Sequence, residues 1–120
     1  MKTVVVLGAS AKPGRYAFMA MEGLQEHGYK AIPVNPALAE VLGEHCYPSI
    51  RDVPGPIDTV TMYLGAERST PLIEDMIQAK PRRIIFNPGA ENDQLTKAAK
   101  DAGIEVVNGC TLMMLGAGTF

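Results

Sequence analysis

Thr3-Val4-Val5-Val6-Leu7-Gly8-Ala9-Ser10-Ala11-Lys12-Pro13-Gly14-Arg15 begins as a run of β-branched and aliphatic residues and breaks into glycine, serine, proline and two cations. An amphipathic stretch follows at once. This order of parts predicts a buried strand, a tight turn and the N-terminus of a helix. Such a turn exposes backbone N–H groups at the positive end of the helix, which makes it a ready anion site. Lys12 and Arg15 add two cations beside it, so a phosphorylated cofactor is expected to lie across the loop.

Outward from that loop, the same alternation repeats. Val4–Leu7 reads as a strand buried on both faces, as in a parallel sheet. Residues 14–27 carry Ala17, Ala20, Met21 and Leu24 at i, i+3, i+4 and i+7, the apolar face of a helix, with Gly28 as its C-terminal cap. Ala31–Val34 is a second strand, ending in Asn35-Pro36. Ala37–Leu42 suits a helical turn stopped by Gly43. Glu44–Pro56, with Pro48, Pro54 and Pro56, reads as an irregular connection containing a brief strand at Cys46-Tyr47. Asp58–Leu64 is the third strand. Ser69 or Thr70 then caps a helix with Pro71 in its first turn and a stripe of Leu72, Ile73, Met76 and Ile77. Arg83–Phe86 is the fourth strand. Asn92 or Asp93 caps a helix whose inner face is Leu95, Ala98, Ala99 and Ala102. Ile104–Val107 is the fifth strand, and Thr111–Leu115 is either a short helix or an extended closing segment.

Strands alternating with helical patterns predict one α/β domain over residues 1–120. Its core is a doubly wound, parallel five-stranded sheet with expected order 3-2-1-4-5. In such sheets ligands lie outside the carboxyl ends of the strands. That rule gathers Gly8–Arg15, Asn35-Pro36, Tyr63–Glu67, Asn87–Asn92 and Asn108–Thr111 into one region.

Composition excludes other classes. The chain has 120 residues and a net charge of −2, which gives no general pull toward nucleic acid or anionic membrane. No apolar run approaches the roughly 20 residues of a spanning helix. The first residues read as a strand rather than a signal peptide, so a cytoplasmic protein is expected. Cys46 and Cys110 make no disulfide framework, and with His27 and His45 they show no metal-ligand spacing.

The loops are better equipped for binding than for catalysis. Gly8–Gly14 is not a full G-x-G-x-x-G, because Ser10 stands where the second glycine would be. Ser10 can donate a hydrogen bond, and Arg15 can pair bidentately with a phosphate. A dinucleotide site usually places an acid after the second strand for the ribose hydroxyls. Here the chain reads Val34-Asn35-Pro36-Ala37, which counts against NAD. Asn35-Pro36 is equally well read as a plain turn. Tyr63 suits either stacking on a ligand or the rim of the core. Glu91 reads as a first-turn helix residue, and Cys110 as a small buried hydrophobe near the ligand end. Neither histidine has a nucleophile or carboxylate at a suggestive spacing, so no catalytic residue is assigned.

Four stretches together resemble the CoA-binding domain family, the Rossmann-like module also found at the start of the succinyl-CoA synthetase α subunit. They are residues 6–15 (Val-Leu-Gly-Ala-Ser-Ala-Lys-Pro-Gly-Arg), 28–36 (Gly-Tyr-Lys-Ala-Ile-Pro-Val-Asn-Pro), 84–92 (Ile-Ile-Phe-Asn-Pro-Gly-Ala-Glu-Asn) and 109–115 (Gly-Cys-Thr-Leu-Met-Met-Leu). The resemblance covers essentially the whole chain. It implies CoA or an acyl-CoA over the strand ends. Gly8, Ala9 and Ser10 would meet the pyrophosphate, with Lys12 and Arg15 as phosphate partners. Asn35 and Pro36 would border the nucleotide, Tyr63 and Leu64 would flank the ligand, and Asn87 and Gly89 would lie near the pantetheine arm.

Two positions depart from the family pattern. Phe86-Asn87-Pro88-Gly89 replaces the frequent Trp-Gln-x-Gly. Ala37-Leu38-Ala39 lacks the lysine that synthetase relatives carry after the second strand, so part of the phosphate recognition must come from elsewhere or be weaker. In the synthetase the phosphorylated histidine belongs to a separate second domain, and no such domain is expected here. The expectation is therefore a stand-alone module that binds CoA or an acyl-CoA without catalysis of its own and with an unidentified protein partner, if any. The alternatives are an NAD(P)-dependent oxidoreductase, a partner subunit of an acyl-CoA-handling enzyme, or an interaction domain that has lost its ligand.

Overall fold

A computed structural model describes all residues 1–120. The elements are β1 (Thr3–Leu7), α1 (Tyr16–Glu26), β2 (Lys30–Val34), β3 (Glu40–Val41), β4 (Glu44–His45), β5 (Thr59–Met62), α2 (Ala66–Ser69), α3 (Ile73–Ala79), β6 (Arg83–Phe86), α4 (Asp93–Asp101), β7 (Glu105–Asn108) and α5 (Thr111–Ala117). β1, β2, β5, β6 and β7 form one parallel sheet. Val4 and Val6 face a core shared with α1 and Leu115 of α5. Val5 and Leu7 face the opposite core, with Ile50, Met76, Leu95 and Ala99. The α/β class and single doubly wound sheet are as expected from the sequence. No helix is long and apolar enough to cross a membrane.

The strand order is β2-β1-β5-β6-β7. The third main-sheet strand therefore pairs with the first, not with the second as the order 3-2-1-4-5 required. Pro33 gives the physical reason. The carbonyl of Pro33 faces away from β1 and accepts the Tyr47 N–H at 3.0 Å. On that side proline has no N–H to offer a further strand, so β2 is confined to an edge. Its edge is covered only by a single bridge from Val34 to Tyr47, the brief extended contact expected near Cys46-Tyr47.

Two local expectations also change. Residues 37–42 form no helical turn; β3 and β4 make a small antiparallel hairpin. Leu42 and Gly43 both have positive φ, 49° and 81°, the backbone signature of a tight hairpin turn. The helix after β5 starts at Ala66, with Gly65 as its N-cap, rather than at Ser69 or Thr70. Pro71 cannot continue the α-helical ladder, so residues 70–72 tighten into a 3-10 turn before α3. Residues 111–117 are helical, which resolves the open reading of the closing segment. Ala102 lies beyond the end of α4 and is exposed.

At the amino edge of the sheet two arginines are engaged. Arg82 pairs with Asp58 at 2.9 Å and with Glu105 at 3.2 Å. The Arg82 hydrogen bond holds the Asp58 carboxyl below its ordinary range. Arg83 is buried, donates to Thr59 Oγ1 and the Phe120 carbonyl, and stacks 4.6 Å from the Phe120 ring.

Asn92 ties the helical layer together on the other face. Its Oδ1 accepts the Leu95 N–H, capping α4, and its Nδ2 donates to Ser69 Oγ and Thr70 Oγ1. Asn92→Ala is expected to lower stability by about 2–3 kcal/mol, combining a lost cap with a buried Ser69 left short of a partner. The measurement is the urea midpoint at unchanged slope.

Candidate functional site

The first loop leaves β1 at Gly8, whose φ is +89°. The N–H groups of Gly8 and Ala9 both donate to the Val34 carbonyl, at 3.1 and 3.2 Å. This pulls the loop against the end of β2. Beyond that point the backbone stops bonding to the protein: the N–H groups of Ser10 and Ala11 meet no protein acceptor, while Lys12 N–H donates to Ser10 Oγ. Arg15 is the N-cap of α1, in extended conformation and without a side-chain cap. The first turn of α1 holds no acidic residue. Unpartnered N–H groups, a helix N-terminus and two cations therefore converge with no carboxylate to neutralise them.

Two cavities flank this loop at the carboxyl edge of the sheet. One, of about 540 Å³, is lined by Gly8, Ala9, Ser10, Lys12, Arg15, Asn35 and Tyr63 among others. The second, of about 350 Å³, lies on the other side of Gly8 and Asn35 and is lined by those two residues together with Pro36 and Leu64. Its remaining walls are mainly apolar, including Leu7, Val34, Ile50 and Leu72. The fold thus gathers nine of the eleven residues singled out in the sequence around two adjoining cavities that share Gly8 and Asn35.

Asn35 is the divider. Its Nδ2 donates to the Ala9 carbonyl at 2.8 Å and its Oδ1 accepts the Ala37 N–H at 2.8 Å. The Asn35-Pro36 turn is itself part of the cavity wall. Tyr63 reaches from the larger cavity into the core beside α1. Burial pushes its phenol up to about 12, outweighing the hydroxyls of Thr61 and Thr111 that favour ionisation.

Asn87 and Gly89 line neither cavity. Asn87 is buried; its Nδ2 donates to Thr61 Oγ1 and the Met62 carbonyl, and its Oδ1 accepts the Thr111 N–H. Every atom of that amide is engaged in joining β5, β6 and α5. Gly89 sits in the exposed turn beyond β6, and its N–H donates to Glu91. Glu91 therefore lies before α4, not in its first turn as expected. Cys110 is half-buried at the N-cap of α5; Cys46 is buried, and burial pushes its thiol up. No three His, Cys, Asp or Glu side chains form a metal-holding group.

Sequence reasoning missed the far wall of the second cavity, made by Pro48, Ser49 and Ile50 of the irregular connection and by Arg68 of α2. No local signal marks the connection as a wall, since its place depends on the Tyr47 bridge. Arg68 lies in α2, one residue past the Tyr63–Glu67 segment that the carboxyl-edge rule gathers.

Comparison with known proteins follows the same outline. A family model described as a CoA binding domain matches residues 2–116. The uncharacterized protein YneT of Bacillus subtilis is 29% identical over 106 residues, covering 88% of this chain and 78% of that protein. The alpha subunit of ADP-forming acetate–CoA ligase I from Pyrococcus furiosus is 29% identical over 127 residues, covering 99% of this chain but 28% of the subunit. Among solved structures, an uncharacterized protein is 43% identical with a TM-score of 0.94, covering 100% and 98% of the two chains. A Thermus thermophilus protein is 31% identical with a TM-score of 0.91, covering 99% and 90%.

The Tyr63 environment has a pH signature. The folded phenol ionises near 12 against 10.0 for an ordinary tyrosine. Between those values the unfolded chain releases this proton first, so stability falls as pH rises through the window. Denaturant titrations of Tyr63→Phe are expected to show a shallower decline over that window than those of the unaltered protein.

Proposed function

Since the chain belongs to the CoA binding domain family, we propose that it binds CoA or an acyl-CoA along the groove at the carboxyl edge of its sheet. The observation that carries this reading is the join of two unlike cavities at Gly8 and Asn35. One side offers unpartnered N–H groups and cations; the other is mainly apolar. A ligand with a charged middle and a flat apolar end matches that division.

The donor set fits the pyrophosphate. Ser10 and Ala11 would present their N–H groups to it, and Lys12 and Arg15 would supply charge. Neither cation is in an ion pair within the protein. Leu7, Val34, Ile50, Leu64 and Leu72 would enclose the adenine ring. Tyr63, at the far side of the loop, would border the pantetheine arm. Bound CoA supplies a thiol at the end of a flexible arm; the chain's own groups bind and orient it. The groove offers no paired acid and base, which supports binding rather than catalysis as the role of this domain. The absence of an acid after β2 supports CoA over NAD, because Asn35 is tied to Ala9 and Ala37.

Calorimetry with CoA and with NAD tests the reading. Binding of CoA with none of NAD is expected, and the reverse order of affinity overturns the proposal. Arg15→Ala is expected to weaken CoA binding by about 1.5–3 kcal/mol, the range for a hydrogen bond to a charged group. Unchanged affinity removes Arg15 from the site.

A further inference from the structure

We propose that Arg68 reads a phosphate monoester on the ribose of the bound nucleotide, and so selects CoA over its 3′-dephospho form. This inference rests on the CoA reading above and assigns a residue to a part of the ligand left without a partner there.

The arginines of the chain sort into two groups. Arg51 pairs with Asp75 at 3.8 Å, Arg82 with Asp58 and Glu105, and Arg83 is buried against Thr59 and Phe120. Arg15 and Arg68 have no ion pair and no side-chain hydrogen bond within the protein. Both line the carboxyl-edge groove, one in each cavity. Of the residues around the apolar cavity, Arg68 alone carries a charge. A free guanidinium over an otherwise neutral, mainly apolar wall has no structural task there. Its planar fork matches the oxygens of a phosphate monoester.

The backbone beneath Arg68 is held in place. Its N–H donates to the Gly65 carbonyl at 3.0 Å, and the Thr70 hydroxyl and the Asn92 amide both donate to the Ala66 carbonyl. The facing wall, Pro36 and Ala37 at the end of β2, supplies no cation. An adenine ring among Leu7, Ile50 and Leu72 brings its ribose to the mouth of this cavity. The CoA ribose carries its monoester at the 3′ position. NADP carries the same group at the 2′ position, so the shared chemistry is a phosphorylated ribose.

The test is calorimetry of the full chain and of Arg68→Gln with CoA, 3′-dephospho-CoA, NADP and NAD. The unaltered protein is expected to bind CoA about tenfold or more tightly over dephospho-CoA, the scale of one charge-assisted contact. In Arg68→Gln that preference should fall to within about twofold while dephospho-CoA affinity stays unchanged; Arg68→Lys should keep part of it. A preference that survives Arg68→Gln, or CoA and dephospho-CoA binding equally to the unaltered protein, overturns the assignment and leaves the CoA reading intact. A preference for NADP over NAD that Arg68→Gln abolishes, with no CoA binding, upholds the phosphorylated-ribose assignment and overturns the CoA reading. Binding of none of the four overturns both. Arg68 is exposed, and an unchanged urea midpoint verifies that the variants fold.

Discussion

Gly8 has no room for a side chain. A Cβ there would stand 2.9 Å from Leu64 Cδ2 and 3.3 Å from the Leu64 backbone nitrogen, at a φ of +89° that non-glycine residues rarely adopt. On its other side Gly8 donates to the Val34 carbonyl. The exit of β1 is thus pressed between the ends of β2 and β5, a position that exists only because β1 has both as neighbours. The groove is a consequence of that strand order and of this close approach. The same contact aims the chain so that Ser10 and Ala11 leave the sheet with free N–H groups. The two cavities then open on either side of the point where the chain is most constrained.

Outside the groove, the carboxyl ends of β5 and β6 are held by Asn87. Its amide bonds to Thr61, Met62 and Thr111, while the Thr61 and Thr111 hydroxyls lie 2.7 Å apart. This buried network sets the start of α5 against β5 and β6 and so fixes where Cys110 stands. Buried polar groups of this kind are costly when left unpaired, and here no buried side-chain polar atom lacks a partner. A strand-end asparagine near a ligand region can therefore be wholly structural. Its type and position alone do not distinguish a capping role from a binding role.

What the sequence made legible follows from the range of the forces involved. Strands β1, β2 and β6 are announced by contiguous β-branched and aliphatic runs, and α1 by its 3.6-residue stripe, because burial alone dictates those patterns. Asn92 was recognisable as a cap because its bond to Leu95 spans only three residues. The strand order is readable in principle, because Pro33 argues against an interior strand. The hairpin around Leu42-Gly43 was hidden because Leu42 takes a left-handed conformation without being glycine or asparagine. The glycine-rich half of the groove lies within one strand–helix unit and could be read directly. The apolar half joins β1, β2, residues 48–50 and α2, and its shape arises from a crossover that no local pattern encodes.

The arginines differ between the two edges of this sheet. At the amino edge Arg82 is matched with Asp58 and Glu105, and Arg83 is folded into the core beside Phe120. At the carboxyl edge Lys12, Arg15 and Arg68 stand unmatched in a chain whose net charge is −2. A carboxylate beside any of them would add little stability at an exposed position and would compete directly with an anionic ligand. Leaving them unpaired therefore sacrifices almost nothing in folding while keeping their charge available. Under the CoA reading, the two groups divide the ligand's charge between them: the loop cations at its centre and Arg68 at its ribose. The glycine-rich turn then accounts for recognition shared by many phosphorylated cofactors. Discrimination among those cofactors falls to the apolar cavity and its single guanidinium.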